Sequence, residues 1–97
     1  MKEKQLENNI KRYLFEKNIY HFKVHGSSFM EPGIPDIIAC VNGFFVGIEV
    51  KRPGAKNTQT EQQKIHERNI NKSNGIYLLT DNLLEVEVLI NELNSDR

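Results

Sequence analysis

Between Pro35 and Lys51 the residue pattern leaves little alternative to a β-hairpin. Ile37-Ile38-Ala39-Cys40-Val41 is a short, continuous apolar run. Asn42-Gly43 follows it, and Phe44 to Lys51 (FFVGIEVK) returns. Asn-Gly between two such runs is the strongest short-range hairpin signal, because a type I′ turn needs positive φ at both central residues. The unbroken apolar run is typical of a strand covered on both faces, so the hairpin is expected inside a larger sheet, with Cys40 in the core. Side chains alternate along a strand. Phe44, Val46, Ile48 and Val50 therefore share the face expected to meet the core. Phe45, Gly47, Glu49 and Lys51 share the other.

Charge breaks this pattern at particular places. Gly33-Ile34-Pro35-Asp36 leads into the first strand, and Glu49-Val50-Lys51 lies thirteen residues beyond Asp36. Alone, Asp36 reads as a loop acid after proline. Glu49 and Lys51 alone read as a solvated strand edge with a same-face ion pair, worth little to stability. Together they bring two acids and a lysine to one end of a sheet. That set suits a divalent cation acting on a phosphodiester. The acids Asp36 and Glu49 hold the ion, and Lys51 orients a water or steadies developing charge. All-oxygen ligands favour hard ions such as Mg²⁺ or Mn²⁺ over zinc.

The flanking segments supply the remaining layers. Lys2 to Asn18 has Leu6, Ile10, Tyr13 and Leu14 on one helical stripe, with Glu7 at its edge. Ile19 to His25 reads as a strand, and 26–35 as a loop rich in turn formers. Arg52 to Thr58 is a Pro/Gly loop. Arg52 and Lys56 in it read equally as a phosphate-contacting strip or as a soluble loop. Thr60 is placed to cap a helix from about Glu61 to Ser73, with Gln63 in the capping-box position and Gly75 as its stop. Ile76 to Thr80 is a fourth strand. Asp81 or Asn82 caps a last helix striped by Leu83, Val86, Ile90 and Leu93. The expected fold is α/β in the order αβββαβα, a mixed central sheet flanked by helices, and 1–97 forms one domain.

Composition narrows the setting. The 97 residues carry thirteen basic and thirteen acidic side chains. That balance lacks the overall basic excess of many nucleic-acid binders, although local patches matter more than totals. The lone Cys40 excludes an internal disulfide, and no Cys/His cluster of zinc type is present. The polar start MKEKQLENN is unlike a signal peptide, and no apolar stretch approaches a membrane span. A cytoplasmic setting is the expectation. His25 with Ser27-Ser28 offers a conceivable nucleophile pair, but no Gly-x-Ser-x-Gly elbow accompanies it.

Pro35-Asp36 followed by Glu49-Val50-Lys51 resembles the PD-(D/E)xK signature of the restriction-endonuclease-like nucleases. The helical Glu7, the Gly-x-Pro-Asp loop, the Pro/Gly loop and the glutamine-bearing helix further resemble the VRR-NUC family in its short, stand-alone viral form. The likeness runs from about Glu3 to Leu93. It implies that Asp36 and Glu49 ligate the metal, that Val50 lends its backbone carbonyl, and that Lys51 is the catalytic lysine. It also implies that Glu7 reaches the same ion and that Gln62 is the helix glutamine, with Gln59 and Gln63 as competing alignments. By the same resemblance the chain is a Mg²⁺- or Mn²⁺-dependent DNA endonuclease, in the host cytoplasm if viral. It would be a homodimer selecting branched duplex such as a four-way junction. The rival reading is a non-catalytic DNA- or protein-binding module on the same fold. Against it, every charged motif residue is intact.

Overall fold

The computed structural model describes residues 1–26 and 30–95. The elements run α1 (Glu3–Glu16), β1 (Tyr20–Lys23), β2 (Ile37–Val41), β3 (Phe44–Val50), a 3₁₀ turn (Lys56–Thr58), α2 (Glu61–Lys72), β4 (Ile76–Thr80) and α3 (Leu83–Ser95). The strands form one mixed sheet in the order β1-β2-β3-β4. β2 runs antiparallel to both β1 and β3, and β4 joins β3 in parallel. A parallel neighbour requires a crossover connection, and α2 supplies it.

The hairpin turn has Asn42 at φ 52° and Gly43 at φ 86°, as a type I′ turn demands. Its register, Val41 opposite Phe44 through Ile37 opposite Ile48, puts Ile37, Ala39, Val41, Val46, Ile48 and Val50 on one buried face. Leu6, Ile10 and Leu14 of α1 and Val86, Ile90 and Leu93 of α3 close over that face to make the core. The helical stripes and the strand alternation thus meet in one apolar layer. Cys40, expected in the core, is exposed. It points from the opposite sheet face, beside Phe45 and Tyr20, so the apolar run of β2 is not covered on both sides along its whole length.

α2 packs on that opposite face and draws close through missing side chains. A Cβ on Gly47 would lie 2.9 Å from Pro35 Cγ and 3.3 Å from Ile70 Cδ1. Gly75, expected as a left-handed helix stop, serves instead as clearance: its Cβ would lie 2.9 Å from Ile70 Cγ2. Asn74 takes the left-handed position, at φ 66°. Asparagine tolerates that region better than most residues. Asn82 caps α3 by accepting the Glu85 N–H at 3.0 Å.

Candidate metal centre

The hairpin register builds the site. Ile37 faces Ile48, so one step further Asp36 faces Glu49. Backbone directions then decide which groups converge. The Lys51 N–H donates to the Thr80 carbonyl at 2.8 Å, toward β4. The Val50 N–H points the other way and donates to Asp36 Oδ2 at 2.7 Å. Asp36 and Glu49 are therefore a non-hydrogen-bonded pair, the kind with the closer side chains, with Cβ atoms ~4.5–5.5 Å apart. The carbonyl of a strand residue points the same way as its N–H. The Val50 carbonyl consequently lies on the Asp36 side as well.

Two carboxylates facing each other across a ladder oppose folding if both are charged. Glu49 responds by protonation. Burial foremost, then the nearby Asp36 carboxylate, push the Glu49 carboxyl up to about 9. The Lys51 ammonium pulls the other way without prevailing. Glu49 is 5% exposed. Its Oε2 accepts from Gln63 Nε2 at 3.1 Å, while its buried Oε1 has no partner among the described residues. A buried carboxyl oxygen without a hydrogen-bond partner is costly in an ordinary core. It is a suitable ligand atom for a cation.

Gln63 is oriented by helix chemistry. Thr60 Oγ1 accepts the Gln63 N–H at 3.1 Å, and Gln63 Oε1 accepts the Thr60 N–H at 2.8 Å. This capping box occupies the amide oxygen, so the amide nitrogen is the end left to meet Glu49. Gln62, the residue favoured by the resemblance, is exposed. The glutamine that reaches the acidic pair is Gln63. Gln62 instead meets the Gly-x-Pro-Asp loop with its backbone. Gly33 has φ +89°, and a Cβ there would lie 2.5 Å from the Gln62 carbonyl carbon. Gln59 turns to Glu67 and Tyr77, at 3.0 and 3.4 Å.

The basic residues divide. Lys51 is half-buried and donates weakly to the Thr58 carbonyl at 3.4 Å. Arg52 is exposed. Lys56 does not form part of a free cationic strip with it. Its ammonium is bound to Glu85, and Asp81 lies 3.8 Å away, tying the 3₁₀ turn to the start of α3.

Glu7 is buried, at 5% exposure, but its partners are ammoniums. Lys23 donates to Oε1 at 2.8 Å, and Lys4 and Lys11 approach Oε2 at 3.0 and 3.7 Å. Burial raises its pKa. Lys23 and Lys4 more than offset this and hold it below the usual value. Lys23 Nζ also lies 3.6 Å from Asp36 Oδ1. The resemblance does not single out Lys23. A usable signal was present: Lys23 sits with His21 on the inward face of β1, where a lysine needs an acid. The cluster thus runs Glu7, Lys23, Asp36, Glu49, Gln63.

Among the described residues no three His, Cys, Asp or Glu side chains form a metal-holding group. The donors that fit a hard cation are Asp36, Glu49 with its unpartnered Oε1, and the Val50 carbonyl. Beside Asp36 opens a cleft of about 420 Å³, lined in part by Lys23, His25, Met30 and Gly33. The Ser27-Ser28 element of the serine–histidine idea lies outside the described residues. No helix among the described residues is long and apolar enough to cross a membrane. The chain matches no protein-family model and no curated protein.

Proposed function

We propose that this chain is a Mg²⁺- or Mn²⁺-dependent DNA endonuclease of the restriction-endonuclease-like kind, similar to the stand-alone VRR-NUC proteins. One observation carries the reading. The Asp36 and Glu49 carboxyls face each other at the open end of the β2–β3 hairpin, and a buried Glu49 oxygen there lacks a hydrogen-bond partner among the described residues. A merely structural sheet gains nothing from that pairing.

A divalent ion bound by Asp36, Glu49 and the Val50 carbonyl would polarise the scissile phosphate and acidify a water. The remaining work belongs to the chain. The Val50 N–H fixes Asp36, and Gln63 fixes one oxygen of Glu49, leaving the other for ligation. Such outer contacts orient ligands and tune them. Lys51 extends from the strand end, where its ammonium can position the attacking water or balance charge on the phosphorane. Arg52, exposed beside it, is available for a DNA phosphate.

With thirteen basic and thirteen acidic residues, one copy offers few spare cations for a duplex. Pairing two copies doubles the phosphate contacts that dominate DNA affinity. It also sets a fixed spacing between two sites. We propose a homodimer acting on branched DNA such as a four-way junction, in the cytoplasm.

The test is cleavage of linear, flapped and four-way DNA with Mg²⁺, Mn²⁺ or chelator, alongside Asp36→Ala. Metal-dependent nicking lost in the variant supports the enzyme. Metal-independent DNA binding without cleavage of any substrate would instead make the chain a binding module. Light scattering showing a monomer, with equal cutting of linear and branched DNA, would remove the dimer and junction preference and leave the nuclease.

A further inference from the structure

The sheet face that carries Asp36 and Glu49 also carries an uncovered aromatic patch. Residues directly opposite on neighbouring strands share a face. Tyr20, Cys40 and Phe45 form one such row, and Phe22, Ile38 and Gly47 the next. Tyr20 is 73% exposed, Phe22 47% and Phe45 48%, and Cys40 is exposed among them. The Tyr20 and Phe22 rings meet edge to face, with centroids 6.3 Å apart. None of the six residues is charged. A phosphate backbone is held by cations, so these rows do not suit DNA. Aromatic side chains with charge excluded are instead the makeup of a protein–protein interface centre.

Area and shape both fit a second copy of this chain. An aromatic side chain can bury roughly 150–250 Å². The three exposed fractions therefore leave on the order of 300 Å² of aromatic surface bare per copy, before Cys40 and Ile38 are added. A standard interface buries about 800 Å² per partner, of which roughly 450 Å² is apolar. The patch supplies most of that. α2 packs over β3 and β4 and stands about 10 Å proud of the β1–β2 half. A two-fold across the strands would drive the two α2 helices together. A two-fold along the strands sets each helix beside the partner's bare half, so the step matches itself. The exposed apolar pair Leu84 and Val88 on α3 is smaller and is bordered by Glu92. Self-pairing there would set like charges together.

We infer that this aromatic face is the homodimer interface, with the two-fold running along the strands near Cys40. Such an axis keeps both hairpin ends pointing the same way. Both Asp36–Glu49 pairs then lie at one end of the dimer, where a single DNA can meet both. The inference rests on the homodimer of the proposed function. It adds the surface, the axis and the relation between the two sites.

The test is oligomeric state by light scattering on the full chain at micromolar concentration, with folding checked by circular dichroism. Wild type should be a dimer. Tyr20→Asp, at the most exposed ring of the patch, should raise the dimer dissociation constant roughly 30-fold or more, as loss of a central aromatic anchor does. Leu84→Asp should remain dimeric. Cys40, the chain's one cysteine, supplies a second readout. A short bismaleimide should join two wild-type copies through it and fail to join Tyr20→Asp. Should Tyr20→Asp not fold, the wild-type cross-link decides. A wild-type dimer without the Cys40–Cys40 product would overturn the interface and leave a dimer formed elsewhere. A dimer kept by Tyr20→Asp and lost by Leu84→Asp would do the same. A wild-type monomer would overturn the interface and the homodimer together, without touching the nuclease.

Discussion

Gln63 donates its side-chain amide to Glu49 Oε2 at 3.1 Å from the first turn of α2, and the same amide accepts the Thr60 N–H. One side chain thus closes a helix cap and holds a site acid. This dual contact ties the placement of α2 to the geometry of the hairpin acids.

The first prediction separates Gln63 from Gln62. Gln63→Ala removes half of the capping box and the only described partner of the Glu49 carboxyl oxygens. It should lower stability by about 0.5–1.5 kcal/mol and cut metal affinity or turnover by roughly 10–100-fold. Gln62→Ala, on the exposed side of the helix, should leave both nearly unchanged. Denaturant melts and Mn²⁺ titrations of the two variants check this. Equal losses would deny Gln63 its special place.

The pH dependence of stability follows from Glu49. Burial and the neighbouring Asp36 carboxylate push its folded carboxyl up to about 9, against an ordinary 4.5 for a free one. Between those values the folded state binds a proton that the unfolded state has released. Stability of the metal-free protein should therefore fall as pH rises from about 5 to about 9, then level off. Glu49→Gln should lose this slope and melt above wild type at pH 8. Thermal melts in chelator across that range are the measurement, and a flat wild-type profile would contradict the Glu49 assignment.

Metal binding should expel the same proton. A cation on Asp36 and Glu49 needs Glu49 ionised, and below about 9 the carboxyl is protonated. Mn²⁺ uptake at pH 7 should release about one proton per ion, and affinity should climb with pH until about 9. Titration calorimetry in buffers of differing ionisation enthalpy reads the proton count directly.

Lys51 and Lys56 should behave differently despite lying five residues apart. Lys51→Ala should retain Mn²⁺ and DNA binding but cut more slowly in single turnover, by roughly 100-fold or more. Lys56→Ala should leave the salt dependence of DNA binding unchanged, because Glu85 and Asp81 already hold that ammonium. Arg52→Ala should make that salt dependence shallower. A drop in DNA affinity for Lys51→Ala at an unchanged cleavage rate would recast Lys51 as a phosphate anchor.

Gly33→Ala should be among the more damaging small substitutions. The new Cβ would meet Gln62 backbone at 2.5 Å on a residue at φ +89°. Either problem alone costs about 1 kcal/mol or more. Chemical denaturation should show a loss above ~1 kcal/mol, whereas Gly54→Ala, whose φ is also positive but whose Cβ meets nothing within 4 Å, should lose less.

Much of the sheet was written in local pattern. The Asn42-Gly43 turn, the two-residue alternation of β3 and the helical stripes of α1 and α3 each answer to neighbours a few residues away, where backbone sterics and burial periodicity act. The facing of Asp36 and Glu49 follows from that turn, because a two-residue loop sets the register of every pair behind it. Which side chains from other elements meet this pair was decided only by packing. Gln63 reaches Glu49, and Gln62 does not, because Gly47, Gly75 and Gly33 let α2 approach at one rotation. Lys23 stands between Glu7 and Asp36 because α1 crosses the core face of β1. Cys40 faces outward because α2 covers the β3–β4 side of its sheet face and leaves the β1–β2 side open. Contacts of this kind join residues far apart in the chain, and their energies depend on desolvation and charge pairing that no local window of sequence contains.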